Sequence, residues 1–160
     1  MTRQLWAPWR LAYIQQAEDQ EGCIFCRAGG GERDHESLVV YRGTHAFVLL
    51  NKFPYASGHL MVAPTRHIAE LRELDEREAA EIHELTVRAL DVLRAVYGPD
   101  ACNVGWNLGA VAGGSITGHL HQHVVPRWSG DTNFMPVLAD IKVLPEHLEA
   151  TRERLTQAWA

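Results

Sequence analysis

Residues 119–125 read His-Leu-His-Gln-His-Val-Val, placing histidines at i, i+2 and i+4. On an extended strand successive side chains alternate faces, so His119, His121 and His123 share one face and Leu120, Gln122 and Val124 take the other. Such a ladder presents nucleophiles, proton carriers and metal ligands in one row. Just upstream stands Gly113-Gly114-Ser115, small residues whose backbone N–H groups can close on an anion. The combination points to phosphate chemistry. At the centre of the ladder, His121 can be flanked by supporting groups on both sides, which makes it the candidate nucleophile. His123, with the Ser115 hydroxyl and backbone N–H, can stabilise a departing negative charge, while Gly114 lets a phosphate approach.

Two other readings attach to the same residues. Histidines without chemistry on a half-solvated strand require three coincidences. A cupin-type metal motif would begin with Gly113 and His119-x-His121, but needs a glutamate four or five positions later, where Val125 and Pro126 stand.

The pattern resembles the histidine triad (HIT) family of nucleotide hydrolases and transferases, whose signature is His-φ-His-φ-His-φ-φ with φ apolar. Gln122 departs from it at a position expected to face away from the ladder. The resemblance continues through Asn51, Gly58-His59-Leu60-Met61-Val62, Pro64-Thr65-Arg66-His67, Asn107-Leu108-Gly109 and Gly113-Gly114-Ser115. Val125-Pro126-Arg127-Trp128, followed by Gly130-Asp131-x-Asn133-Phe134, is similar to the bacterial diadenosine tetraphosphate phosphorylase branch.

This resemblance implies nucleotidyl transfer from a dinucleoside polyphosphate through a nucleotidyl-histidine at His121. The alternatives it leaves are a hydrolase of dinucleoside polyphosphates or nucleoside phosphoramidates, and a nucleotide-binding regulator with little turnover. It also implies His59 as a fourth imidazole near the site, Asn51 on the ribose and Asn107 on phosphate. Both asparagines have a turn or strand-end reading too, and the alternative for His59 is an inward strand histidine. Inorganic phosphate is the expected acceptor, held by Ser115 and Asn107, with Arg127 adding charge if it turns back toward the site. No organic cofactor is expected. A homodimer is implied by the family alone.

Cys23, Cys26, His67 and His119 form a second constellation. A Cys-x-x-Cys pair plus two imidazoles is a complete tetrahedral Zn²⁺ set, and four protein ligands make a structural site. A redox pair is the alternative, but no βαβ pattern precedes it. Several HIT branches are similar in using such a pair, a histidine after a Pro-x-x pattern, and the first histidine of the triad. Cys102 has no partner and is expected in the core.

The remaining sequence must position these groups. The 160 residues, 46% hydrophobic and 22% charged, suit one domain over residues 1–160. The net charge is −5 and the basic residues are scattered, which argues against a nucleic-acid polymer as partner. No apolar run is long enough to span a bilayer and no leader pattern opens the chain, so the expected location is cytoplasmic and off the membrane. Residues 1–18, with Trp6 and Trp9, read as an aromatic clasp on the body or on a partner chain.

Residues 29–34 read as a polar loop. Strands are predicted over 38–41 and 46–50, joined by the turn Arg42-Gly43-Thr44, and over 59–63, 102–108 and 119–125. In 102–108, Val104, Trp106 and Leu108 share one face. Asp75-x-x-Glu78 is a capping box opening a long helix with Ile82, Leu85, Ala89, Val92 and Val96 on one side, ended by Gly98-Pro99. The C-terminal extension over 135–160 carries a closing helix with Pro145 in its first turn and Leu148, Leu155 and Trp159 inward. The expected fold is therefore α+β and HIT-like: about five antiparallel strands, one long helix and a C-terminal helix.

Overall fold

The computed structural model describes residues 22–31, 34–113, 116–131 and 146–159. The clasp over 1–18, Gly114, Ser115, Asn133, Phe134 and Pro145 lie outside the described residues. Five strands, β1 (Val39–Arg42), β2 (Ala46–Leu50), β3 (Leu60–Pro64), β4 (Ala101–Trp106) and β5 (Gln122–Arg127), form one antiparallel sheet in the order β1-β2-β3-β5-β4. Around it run α1 (Ile24–Gly30), α2 (Asp34–Ser37), α3 (Glu76–Tyr97) and α4 (Leu148–Trp159).

Helix α3 begins where the capping box places it. The Asp75 carboxylate accepts from the Glu78 N–H at 2.9 Å, and the Glu78 carboxylate accepts from the Asp75 N–H at 3.0 Å, an arrangement that satisfies two orphan donors at once. Gly98 closes the helix in the left-handed region at φ 56°, where a β-carbon is unfavourable. One turn in, the Glu81 carboxylate accepts from the N–H groups of Thr44, His45 and Ala46. This pins the β1–β2 hairpin to the helix, and a β-carbon on Gly43 would overlap Glu81.

The period-two pattern of the strands divides the sheet into two faces. Val48, Leu50, Leu60, Val62 and Val124 pack beneath Ile82, Leu85, Ala89 and Val92 of α3 and Leu155 and Trp159 of α4. On the opposite face, Val39, Phe47, Leu49, Met61 and Ala63 meet Phe25 and Ala28 of α1. Because Val62 pairs with Gln122, and Met61 with His123, Gln122 falls on the α3 face. There it accepts from the Thr86 hydroxyl, so its departure from an apolar residue is satisfied by a helix partner.

Several sequence boundaries shift. The last strand begins at Gln122 rather than 119, because the Leu120 N–H donates to the Ile68 carbonyl and the His119 side chain turns toward Pro64. The third begins at Leu60, since the His59 N–H closes a turn on Ala56. The supposed loop at 29–34 is helical up to Gly30: burial of Phe25 and Ala28 overrides the poor propensity of the glycines. On β4, an edge strand, Trp106 packs on the core while Val104 and Leu108 are 44% and 48% exposed. The closing helix starts at Leu148, beyond Pro145, and is moored by Glu146, whose carboxylate accepts from Tyr97 and Thr151 hydroxyls and pairs with Arg154. Cys102 is half-buried rather than in the core. Among the described residues no helix is long and apolar enough to cross a membrane.

Candidate active site and metal-ligand cluster

His119, His121 and His123 are all buried and lie at the approach to β5 and on its α1-facing side. Their hydrogen bonds fix which ring nitrogen carries the proton. A carbonyl only accepts, so His121 Nδ1, 2.8 Å from the His119 carbonyl oxygen, bears hydrogen and its Nε2 keeps a lone pair. Phe25 stacks on this imidazole with centroids 4.6 Å apart and planes 25° from parallel, holding the ring plane. Burial lowers the His121 pKa, opposed by the bond to His119. The imidazole is therefore neutral near pH 7, with a free nitrogen.

A second chain runs toward His123. The Tyr55 N–H donates to His59 Nδ1 at 3.0 Å, which leaves the proton on His59 Nε2. That N–H donates to His123 Nδ1 at 2.9 Å, so His123 carries its own proton on Nε2. His59 is fully buried, and burial, reinforced by His121, pushes His123 down to about 4. The outcome is a pair of imidazoles side by side, centroids 5.0 Å apart, one presenting a lone pair and the other an N–H. That pairing can attack a phosphorus centre and donate to the departing oxygen.

The asparagines divide. The Asn107 Nδ2 lies 3.3 Å from His123 Nε2; an amide nitrogen cannot accept, so the His123 N–H is met only with the amide turned to bring its oxygen there, where it competes with a substrate oxygen for one proton. Asn51 is buried beside His59, its amide nitrogen 3.5 Å from Nδ1, but its oxygen accepts from the Phe53 N–H at 2.9 Å in an Asx turn. Gly114 and Ser115 lie outside the described residues, while Gly113 before them adopts φ 95°, the positive region suited to an anion-enclosing turn. Arg127 does not turn back: its guanidinium is bound to Asp131 and to the Asn103 side-chain oxygen. Four residues along β5 from His123, it supplies no charge to the site.

Cys23, Cys26, His67 and His119 converge, their four ligand atoms all within 4.8 Å of one another. His119 Nε2–H donates to the Pro64 carbonyl at 2.9 Å, which frees Nδ1 to face Cys23 Sγ at 3.4 Å and Cys26 Sγ at 3.6 Å. His67 Nδ1 lies 3.2 Å from Cys26 Sγ. Zn–S near 2.3 Å and Zn–N near 2.0 Å around a tetrahedral centre require N···S of about 3.5 Å. The donor set and its spacing fit a zinc ion, and the Pro64 carbonyl orients a ligand histidine in the usual outer-shell manner. His119 thus serves both constellations, its ring toward the cysteines and its carbonyl toward His121. His45 is half-buried, and His83 and His147 are exposed, apart from either constellation.

Two contributors escaped the sequence reading. Phe25 stood between the cysteines, where it passed for part of the Cys-x-x-Cys spacer. Tyr55, whose ring lies 4.6 Å from His59 and 6.0 Å from His123, fell in a stretch read only as a break between strands. An aromatic four residues before an important histidine was the available signal.

Comparison with known proteins agrees with this arrangement. A family model described as the HIT domain matches residues 32–130. A Mycobacterium tuberculosis protein named AP-4-A phosphorylase is 42% identical over 165 residues, covering 99% of this chain and 85% of that protein. A Schizosaccharomyces pombe bis(5'-nucleosyl)-tetraphosphatase (asymmetrical) is 30% identical over 95 residues, covering 59% of this chain and 52% of that protein. The crystal structure of a Zn-bound histidine triad family protein from Mycobacterium smegmatis superposes with a TM-score of 0.69 at 24% identity, covering 86% of this chain and 93% of that one. The protein belongs to the histidine triad family.

Proposed function

We propose that the protein is a dinucleoside polyphosphate phosphorylase working through a nucleotidyl-His121 intermediate. The observation that carries this reading is the directed hydrogen-bond pattern that leaves His121 Nε2 unprotonated beside a protonated His123 Nε2. The His121 lone pair attacks the α-phosphorus of a dinucleoside polyphosphate. A P–N bond forms, the P–O bond to the remaining polyphosphate breaks, and the departing oxygen takes the proton of His123 Nε2. Inorganic phosphate then attacks the same phosphorus, displacing the imidazole and releasing a nucleoside diphosphate. Diadenosine tetraphosphate plus phosphate gives ATP in the first step and ADP in the second. Near-full-length similarity to a protein named AP-4-A phosphorylase supports this acceptor.

In this reading Asn107, Gly114 and Ser115 surround the phosphates, and Asn51 meets the ribose through its amide NH2 while its oxygen keeps the Phe53 N–H. His59 is a positioning residue that sets the His123 tautomer. Cys23, Cys26, His67 and His119 hold a structural zinc that cross-links α1 to the approach to β5 and supplies no reactive position. Two copies pair along the β4 edge and α3, where Val87, Val104 and Leu108 are exposed, in the cytoplasm, where nucleotides and reduced thiols coexist.

A second reading, hydrolysis, is favoured by one finding: Arg127 is engaged with Asp131 and adds nothing to a second anion site. The experiment that separates the two is product identification from diadenosine tetraphosphate with and without inorganic phosphate. ADP and ATP, formed only with phosphate, is the expected result; AMP and ATP in both cases would establish the hydrolase.

A further inference from the structure

The segment between β2 and β3 carries two large aromatic side chains on the rim of the site, Phe53 and Tyr55, 42% and 54% exposed. Three hydrogen bonds hold their backbone in place: Phe53 N–H to the Asn51 side chain at 2.9 Å, Tyr55 N–H to His59 Nδ1 at 3.0 Å, and His59 N–H to the Ala56 carbonyl at 3.1 Å. Pro54 between them is buried. The Tyr55 ring lies over His123 with planes 22° from parallel, and the Lys52 ammonium sits 5.9 Å from the Phe53 centroid. Aromatic area presented to solvent on a tethered loop, with a cation beside it, is the chemistry that receives a nucleobase and its phosphates.

A dinucleoside polyphosphate has two nucleobases, and attack by His121 places the departing polyphosphate on the His123 side. The second base must leave the site past the residue that covers His123. We propose that Phe53 and Tyr55 form a stacking platform for the nucleobase of the departing nucleotide, with Lys52 drawing in its phosphates. This assignment rests on the functional reading above. It makes the loop the element that distinguishes a dinucleotide from a donor with one base, since the platform engages nothing in the latter.

The test compares diadenosine tetraphosphate with adenosine 5'-tetraphosphate, which offers the same adenylyl group and lacks the second nucleoside. In Phe53→Ser, kcat/KM for the dinucleotide should fall about tenfold or more, the scale of a lost base–aromatic stack, and that for the mononucleotide should stay within about twofold. Phe53→Trp should keep the preference. Equal losses for both substrates, or none for either, would overturn the platform. Equilibrium titration of His121→Ala with the same two ligands tests it independently of turnover. That variant should bind the dinucleotide more tightly, and adding Phe53→Ser should shrink the difference about tenfold. If it binds both ligands alike, the platform is wrong whatever the reaction; if the wild type turns over neither, the functional reading alone fails.

Discussion

The burial of two imidazoles side by side is useful only because each is locked in a different tautomer. His121 depends on the His119 carbonyl, and His123 on a chain that ends at the Tyr55 backbone N–H. His121→Ala removes the atom that carries the covalent intermediate, so turnover should drop by about three orders of magnitude or more with nucleotide binding still measurable. Retention of a tenth of the activity would exclude the role. The His123 environment of His59, His121, Tyr55 and Asn107 offers no carboxylate among the contacts described, and burial holds its pKa at about 4. With the folded value below the unfolded value of about 6.5, the unfolded chain binds the extra proton between the two. Stability from this residue is full above about pH 6.5 and is lost as pH falls toward 4, on the order of 3 kcal/mol. Thermal melts of wild type against His123→Gln should show the shallower pH slope in the variant; parallel slopes would contradict the assignment. The histidine row and the Cys23, Cys26, His67 and His119 cluster were legible in the sequence because their types and spacing carry chemistry, and Asn107 through the family resemblance. The tautomers were not, since they depend on carbonyl groups that only the fold brings near.

At the scale of elements, α1 and α3 succeed for different reasons. Helix α3 is encoded locally: a capping box, an apolar stripe and a terminal glycine agree with one another, and its boundaries could be read directly. Glu78 adds what spacing could not show, a paired contact with Arg66 at 2.6 Å. The Arg66 hydrogen bond lowers the Glu78 pKa against a smaller desolvation effect. Glu78→Ala loses the bond from the Asp75 N–H and this contact together while Asp75 keeps its own half of the cap, and denaturant unfolding should register a loss of about 2 kcal/mol; a change below about 0.5 kcal/mol would refute it. Helix α1 has two glycines at its end and little intrinsic preference, and is held by the packing of Phe25 and Ala28 and by the Cys23 and Cys26 side chains. Elemental analysis should find about one zinc per chain. Cys23→Ser should lose the metal, lower the melting temperature, and reduce turnover, because His119 and Phe25 tie the cluster to His121. Metal-free protein with an unchanged melting temperature would rule out the zinc site.

The whole molecule places its chemistry on one face of a sheet whose other face is sealed by α3 and α4. That division follows from strand alternation, but Ala46–Leu50 and Leu60–Pro64 are apolar throughout because both of their faces are covered, so their sequence does not show it. At β4 Val104 and Trp106 do share one face, yet Val104 is exposed on an edge strand, and a pattern of apolar residues cannot say whether the cover comes from the same chain. In the proposed dimer it comes from a second copy. Sedimentation should give twice the chain mass, and Val104→Lys should shift it toward the monomer; a wild-type monomer at micromolar concentration would contradict the pairing.

The central claim, a nucleotidyl-His121 resolved by phosphate, is tested most directly by label transfer. Diadenosine tetraphosphate is incubated with ³²P-labelled inorganic phosphate, and the nucleotides are separated and counted. The account expects the label in the β-phosphate of ADP, one per dinucleotide consumed, none in ATP, and no transfer in His121→Ala. Unlabelled products, with AMP accumulating at the rate the dinucleotide disappears, would contradict it.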